Sequence, residues 1–206
     1  MDKDKILTDE IKGSFDFFYQ NTNLNPESKG FGLTVDSTKK PLIASIAAAG
    51  FALTAWVIAV ERGFLSRQQA VEITRGTLRT LLYNASHFRG FFAHFLEMES
   101  AQRIRKCEYS TIDTALCLNG VITAAAYYQD NEIKDLAQQL LDRVDWQFIV
   151  FEKDRNTLFR MAYNPDRGGD YVQGEPGYIY QWDMAAEQKM MYLQAVGHVD
   201  PAVAVK

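Results

Sequence analysis

The chain has 206 residues, of which 47% are hydrophobic and 13% aromatic, and its formal net charge is −4 at pH 7. This composition is typical of a folded core and excludes an intrinsically disordered chain. The mildly acidic balance, without a basic stripe, argues against nucleic acid as a partner. The length predicts one domain, or a piece of a larger one.

The first element in chain order is an amphipathic helix from Ile6 to Gln20, in which apolar residues recur at helical spacing among Asp, Glu and Lys. The residues before this helix contain no apolar signal-peptide region, so we expect either a cytosolic protein or one whose signal peptide has been removed. Residues 21–41 are predicted to form a long loop, because glycine and proline interrupt them repeatedly. Asp36 lies in this loop.

Two helices of contrasting character follow the loop. The uncharged run from Leu42 to Val60 is long enough to be considered as a membrane span. Its many small residues instead favour a buried helix over residues 45–60, packed closely against a neighbour, so no membrane span is expected. Ser66 and Gln69 have the spacing of a capping box and predict an amphipathic helix that begins there.

The segment 89–120 concentrates the residue types that carry out chemistry. Residues 88–106 are predicted to be extended, in a hairpin at a loop end. Ser110 and Asp113 have the spacing of a helix cap, and no charge follows Asp113 before residue 130. We therefore expect a buried helix with a polar mouth, where acidic and aromatic side chains gather.

Each polar residue of this segment also has an alternative explanation. Asp113 can act only as the cap of its own helix, and Glu108 can pair with Arg105 or Lys106. His94 lies in an alternating aromatic run, where a histidine is more often structural than catalytic. The spacing alone does not decide between these alternatives.

Two more helices are predicted towards the C-terminus. Asp130 caps an amphipathic helix, and Asp183 caps a last helix that runs to His198, with Glu187 one turn after its start. Between these helices lies a loop rich in Gly, Pro and Tyr. Short strands are expected in it near residues 158–163 and 178–182.

The two cysteines are predicted to be free thiols, at least one of them buried. If a helix begins near Thr111, Cys117 lies on the order of 10 Å along its axis, too far from Cys107 for a disulfide. No spacing of Cys, His or acidic residues is typical of a metal site. We expect neither a metal nor a cofactor.

Amphipathic and buried helices alternate along the chain. An outer ring of amphipathic helices around an inner ring of buried ones would produce this order, which is that of an α/α toroid built from helical hairpins. The predicted fold class is therefore all-α, with about three helical hairpins, or half a ring, and short β-hairpins in the loops. The loop end where the acidic helix starts gather is the predicted site.

Several segments are similar to a known family, namely residues 44–70, 89–98, 108–120, 132–146 and 182–197, of which VERG and STIDTAL are the most specific parts. From about Phe15 onwards the chain resembles the bacterial glucoamylase-like family, also called glycoamylase domains. That family contains endo-β-1,2-glucanases and a domain of cyclic β-1,2-glucan synthases, and its fold is an (α/α)6 toroid. The resemblance implies a single, partial glycoamylase-like domain over residues 1–206.

For function, the resemblance implies hydrolysis of a β-glucan, with β-1,2 linkage and inversion favoured. Glu187 is the predicted general acid, because its position beside aromatic residues would partly bury it. Asp113 is the second catalytic residue, with Glu108 as an alternative base. The predicted substrate-binding residues are Arg89, Phe92, His94, Glu108, Tyr180, Trp182 and Asp36.

Members of the family are longer, and this chain corresponds to their N-terminal half. We expect a truncated form, a split gene product or one half of a dimer, so the predicted partner besides the saccharide is a second copy or a second polypeptide that completes the ring. A non-catalytic glycan-binding or assembly remnant and a starch-directed glucoamylase are the alternatives. The resemblance also implies a periplasmic or secreted location.

Overall fold

The computed structural model describes residues 3–153, 156–166 and 177–196. Within these residues the chain forms six α-helices, one short 3-10 helix and eight strands. The helices are α1 (Lys3–Gln20), α2 (Ile46–Glu61), α3 (Arg67–Tyr83), α4 (Thr111–Tyr128), α5 (Asn131–Asp142) and α6 (Lys189–Ala195), and the 3-10 helix is Trp146–Ile149. The strands are β1 (Ile43–Ser45), β2 (His87–Phe88), β3 (Phe91–Phe92), β4 (Phe95–Glu97), β5 (Tyr109–Ser110), β6 (Val150–Lys153), β7 (Asn156–Tyr163) and β8 (Tyr178–Gln181).

The helices lie in two layers. The apolar helices α2 and α4 pack against each other, the amphipathic helices α3 and α5 pack against each other beside them, and α1 packs on α2. Apolar burial is the main stabilising term, and Leu53, Trp56 and Val121 are completely buried. The alternation of amphipathic and apolar helices predicted from the sequence is confirmed for α1 to α5. Among the described residues, no helix has both the length and the hydropathy that crossing a membrane requires.

Two glycines allow α2 and α4 to approach each other closely. A Cβ atom on Gly120 would lie 2.1 Å from the carbonyl oxygen of Gly50, and one on Gly50 would lie 2.4 Å from the Cα atom of Cys117. Both distances are far below van der Waals contact, so a side chain at either glycine would push the helices apart. We call this contact between Gly50, Cys117 and Gly120 the glycine seam. It confirms the close packing through small residues that the sequence predicts.

Small sheets hold the loops at the N-terminal ends of α2 and α4. β1 pairs antiparallel with β4, with Ser45 opposite Phe95, and leads directly into α2. β5 pairs antiparallel with β7, which also pairs with β6 and β8, and β5 leads directly into α4. The mainly helical fold class is confirmed, and the predicted strands near residues 158–163 and 178–182 are present as β7 and β8. The strand content exceeds the short hairpins that were predicted, because β7 alone has eight residues.

The predicted N-caps of α3, α4 and α5 are present. Ser66 and Gln69 form a complete capping box at the start of α3. Ser110 accepts a hydrogen bond from the backbone N–H of Asp113, and Asp130 caps α5 in the same way. Each of these bonds satisfies an N–H that has no partner within its helix.

The last helix begins later than the sequence predicts. Residues 184–188 form turns and α6 starts at Lys189, so Asp183 is not its cap. The side-chain amide of Gln188 donates to the carbonyl oxygen of Met184 and accepts from the N–H of Ala186. These backbone groups therefore have hydrogen-bond partners without forming a helix. The predicted end of the helix at His198 lies outside the described residues.

Candidate functional site

The backbone around His94 joins the starts of the two apolar helices. The carbonyl oxygen of His94 accepts a 3.1 Å hydrogen bond from the N–H of Ile46, the first residue of α2. The N–H of His94 donates to the carbonyl oxygen of Glu108 over 2.9 Å. Because Glu108 directly precedes β5 and α4, these two bonds bring His94, Glu108 and the first turns of both helices to one place.

The side chains of His94, Glu108 and Asp113 form a connected group, which we call the rim cluster. Nδ1–H of His94 donates to Oε1 of Glu108 at 2.7 Å, and Nε2 lies 3.7 Å from Oδ2 of Asp113. The imidazole stacks on Phe95 with ring centroids 3.9 Å apart. Glu108 is buried, whereas 28% of the His94 side chain and 16% of that of Asp113 are exposed. The rim cluster is therefore fixed at Glu108 and accessible at His94 and Asp113.

Charge and burial act in opposite directions on the rim cluster. Burial alone would lower the pKa of His94, but the hydrogen bond to Glu108 and the negative charges of Asp113, Glu108 and Asp36 outweigh it and raise this pKa. Burial alone would raise the pKa of Glu108, but the hydrogen bond from His94 outweighs it and the pKa of Glu108 is lowered. The arrangement favours a protonated imidazole beside an ionised Glu108.

Asp113 combines the two roles that its spacing left open. Its backbone N–H donates to Oγ of Ser110 at 3.2 Å, and Oγ–H of Ser110 donates to Oδ2 of Asp113 at 2.5 Å. Asp113 lies in the first turn of α4, where the helix dipole favours a negative charge. Capping thus holds the carboxylate in the position from which it faces His94.

Asp36 lies in the neighbourhood of the rim cluster. Its N–H donates to the carbonyl oxygen of Ile43 at the start of β1, over 3.1 Å, and its side chain is exposed. Its charge is one of those that raise the pKa of His94. The structure therefore brings His94, Glu108 and Asp113 together, and it places Asp36 where its charge acts on His94.

Arg89 and Phe92 are engaged elsewhere. Arg89 pairs with Asp145, with Nη1 2.8 Å from Oδ2, and its guanidinium lies over the ring of Phe148. Phe92 is only 1% exposed and lies in the core, with the guanidinium of Arg143 over its ring. Its ring therefore has no free face for a sugar, which corrects the predicted stacking role.

The predicted residues near the C-terminus are not linked to the rim cluster. Glu187 is exposed in the turn before α6, instead of partly buried as the sequence suggested, and no hydrogen bond or ion pair among the described residues joins it to the cluster. α6 itself is attached to α4 through Gln194, which donates to the carbonyl oxygen of Ala115 at 2.9 Å. Tyr180 is 54% exposed, while Trp182 packs partly buried against the core.

Arg103 is a residue near the site that the sequence did not single out. Its guanidinium donates to the carbonyl oxygen of Cys107 at 2.6 Å, to Asp166 at 2.5 Å and to Asn164 at 2.9 Å. Its charge also helps to lower the pKa of Glu108. Two of these partners are 63 and 61 residues further along the chain, so no local pattern could have identified it.

The rim cluster is suited to proton transfer. It holds two carboxylates on either side of an imidazole, at the N-terminal end of an apolar helix and in partial contact with solvent. Carboxylates in such surroundings are the groups that serve as general acids and bases. Within residues 3–153, 156–166 and 177–196, no group of three or more His, Cys, Asp or Glu side chains is arranged to hold a metal ion.

No family model matches the chain. Among curated proteins, the chain is 24% identical over 130 residues to an exo-β-1,2-glucooligosaccharide sophorohydrolase (non-reducing end) from Parabacteroides distasonis. The match covers 58% of this chain and 18% of that protein.

Solved structures with the same fold include an endo-β-1,2-glucanase from Chitinophaga pinensis, with a TM-score of 0.76 and 18% identity over 99% of this chain and 50% of that one. A glucoamylase-like protein from Bacteroides uniformis gives a TM-score of 0.77 and 22% identity, over 95% of this chain and 46% of that one. A β-1,2-glucanase from Parabacteroides distasonis gives a TM-score of 0.77 and 17% identity, over 100% of this chain and 29% of that one. The predicted resemblance to glucoamylase-like proteins is confirmed at the level of the fold, and the chain spans half or less of each of these proteins.

Proposed function

We propose that the chain is part of a glycoside hydrolase that acts on β-glucan, with β-1,2-linked glucan as substrate and inversion as mechanism. The observation that carries the proposal is the rim cluster, in which one imidazole separates two carboxylates at the loop end of a glucoamylase-like fold. The choice of linkage is supported by similar proteins from Parabacteroides distasonis and Chitinophaga pinensis whose names refer to β-1,2-glucans or their oligosaccharides.

In this proposal Asp113 is the general base. Inverting hydrolysis needs one carboxyl that protonates the leaving oxygen and another that activates a water, about 6.5–9.5 Å apart. Asp113 is held by Ser110 and remains partly exposed, so it combines a fixed position with access for water. Glu108 is buried against His94 and acts as a positioning residue for the imidazole, which then binds sugar hydroxyls.

Glu187 remains the proposed general acid. It is an exposed carboxylate close in sequence to the exposed Tyr180, and a glucan chain bound between these residues and the rim cluster would bury it. Asp36 competes for the same role, because it is the exposed carboxylate whose charge reaches His94. Comparing Glu187→Gln with Asp36→Asn decides between the two.

The test is release of reducing sugar from linear β-1,2-glucan, with starch and β-1,3-glucan as comparison substrates. We expect Asp113→Asn to lower turnover by about 10²–10⁴-fold, the usual contribution of a general base or acid. Asp142→Asn is the matched control, because Asp142 is an exposed carboxylate on α5 that accepts a hydrogen bond from Gln138 of the same helix. Equal turnover in the two variants would exclude Asp113 as the base.

We further propose that a second polypeptide, a second copy or a separate half, completes the ring. The helices α2, α4 and α6 carry large apolar side chains that stay exposed, and soluble monomers rarely expose extended apolar surfaces. These side chains are Phe51, Ile58, Ile122 and Leu193. The half-length match to the similar structures supports the same idea. Measurement of the mass in solution tests it, and a monomer with a sharp melting transition counts against it.

A non-catalytic glycan-binding remnant is the second candidate function. The observation that favours it is the coverage of half or less of each similar protein, since catalytic groups from the rest of such a protein would then be absent. Binding of β-1,2-glucan without release of reducing sugar, both by the chain alone and with its ring partner, would favour this function over hydrolysis.

A further inference from the structure

A groove separate from the rim cluster, which we call the outer groove, lies between the loop 21–41 and helix α3. Its volume is about 640 Å³, within the range of about 300–1,000 Å³ that is typical of ligand sites. It shares no residue with the rim cluster. The lining residues used below are Tyr19, Phe31, Glu72, Gly76, Arg79 and Tyr83.

Close backbone contacts give this groove its shape. A Cβ atom on Gly76 of α3 would lie 2.3 Å from the ring of Phe31, so the glycine lets this ring lie directly on the helix. A Cβ atom on Gly32, whose φ is +82°, would lie 2.0 Å from Oγ1 of Thr77 on α3. The side chain of Asn23 donates to the carbonyl oxygen of Met98 at 2.8 Å and ties the loop to the rest of the fold. These contacts fix the position of the loop against α3 and so define the shape of the groove.

The groove combines aromatic faces with polar groups. Tyr83 is 68% exposed, so its ring offers an apolar face and a hydroxyl to solvent, while Tyr19 is 41% exposed and its ring stacks on Phe15. Glu72 and Arg79 lie along the same stretch of α3, and Arg79 is partly neutralised by an exposed ion pair with Glu132. A ligand with flat apolar faces and many hydroxyls matches this lining better than a charged one does.

We propose that this outer groove is a non-catalytic binding site for a neutral oligosaccharide, in which one sugar ring stacks on Tyr83 and hydroxyls of the neighbouring sugar units along α3 bond to Arg79 and Glu72. The proposal rests on the proposed function only in naming a β-glucan as the ligand. An outer site of this kind would hold a polymer on the protein while another part of the same polymer reaches the rim cluster. Aromatic grooves also bind proline-rich peptides, and the experiment includes that outcome.

The experiment measures binding of a linear β-1,2-gluco-oligosaccharide by calorimetry and by NMR shifts of aromatic side chains. Asp113→Asn serves as the background, because it is expected to lower turnover and Asp113 does not line the groove. In this background we expect Tyr83→Ala to weaken one class of binding sites about tenfold or more. Phe17→Ala is the matched control, since Phe17 is an exposed aromatic residue of α1 outside the groove. Phe17→Ala in this background should bind the oligosaccharide with the same affinity as Asp113→Asn alone.

A second measurement does not depend on a variant. It follows the NMR chemical shifts of the Tyr83 ring while the unaltered protein is titrated with the oligosaccharide. Binding that depends on Tyr83 in a protein that hydrolyses no glucan would support the groove and contradict the proposed hydrolase. Hydrolysis with no shift at Tyr83 and unchanged binding in Tyr83→Ala would overturn the groove alone. Shifts at Tyr83 with a polyproline peptide but not with the glucan would also overturn it.

Discussion

The middle and the beginning of helix α4 face opposite requirements. In the middle, the glycine seam brings backbone against backbone in a region with no charged side chain, and nothing larger than hydrogen fits at Gly120. At the beginning, two carboxylates and an imidazole meet within hydrogen-bond distance or close to it. The packing of the two helices at the seam helps to position the rim cluster, because α4 carries Asp113 and the first residue of α2 binds the backbone of His94.

The largest expected effect comes from the seam. Gly120→Val should destabilise the protein by on the order of 3 kcal/mol or more, because overpacking costs about 1–3 kcal/mol even where side chains can yield, and here a backbone carbonyl stands in the way. Urea unfolding measures the change. Gly13→Ala is the control, since no atom lies within 4 Å of the added Cβ, and it should stabilise α1 by about 0.5–1 kcal/mol. Equal stability of Gly120→Val and the unaltered protein would refute the seam.

The next effect concerns the buried carboxylate of the rim cluster. Glu108→Gln keeps the shape but removes the charge that His94 faces, and a hydrogen bond to a charged group contributes about 1.5–3 kcal/mol. We expect a loss of unfolding free energy in that range, measured by urea denaturation near pH 6. Glu99→Gln, at an exposed position, should change stability by less than about 0.5 kcal/mol. If Glu108→Gln lost as little unfolding free energy as Glu99→Gln, the pair of His94 and Glu108 would not stabilise the fold.

The same pair predicts a pH dependence of stability. The raised pKa of His94 stabilises the fold fully below the ordinary value of 6.5, and this contribution is lost as the pH rises through the raised pKa. The lowered pKa of Glu108 stabilises the fold above the ordinary value of 4.5, and this contribution is lost as the pH falls through the lowered pKa. The difference in unfolding free energy between the unaltered protein and Glu108→Gln should be largest between pH 4.5 and pH 6.5, where both contributions are present. A difference that is flat with pH would contradict the prediction.

The smallest expected effects separate capping from chemistry. Ser110→Ala and Ser66→Ala each remove an N-cap and should each cost about 1 kcal/mol of stability. Only Ser110 also binds the carboxylate of Asp113, so only Ser110→Ala should lower the turnover of glucan. Thermal unfolding and a reducing-sugar assay on the same samples make the comparison. Equal turnover in both variants would mean that Asp113 needs no fixing by Ser110.

The helices were predictable because their signals are local. The caps Ser66, Ser110 and Asp130 and the spacing of apolar residues lie within a few positions of the structure that they determine. The small residues of α2 likewise indicated close packing. They did not identify α4 as the neighbour, since that choice depends on which glycines meet in space.

The site was only partly predictable, because its contacts are made between distant parts of the chain. The sequence named His94, Glu108 and Asp113 but could not pair them, and it gave no reason to choose Arg103, two of whose partners lie just after β7. It also could not separate Phe92 from Phe95, since alternation does not say which face is the core. The structure buries Phe92 and stacks Phe95 on His94.

Cys117 allows separation of the helices at the glycine seam to be followed by chemical labelling. Burial raises the pKa of its thiol to about 12, and the thiolate is the form that reacts with alkylating agents. Modification of Cys117 therefore requires α2 and α4 to separate first, so the labelling rate of the native protein reports how often they do. The molecule carries its own reporter of helix separation, a native thiol whose alkylation is read by mass spectrometry.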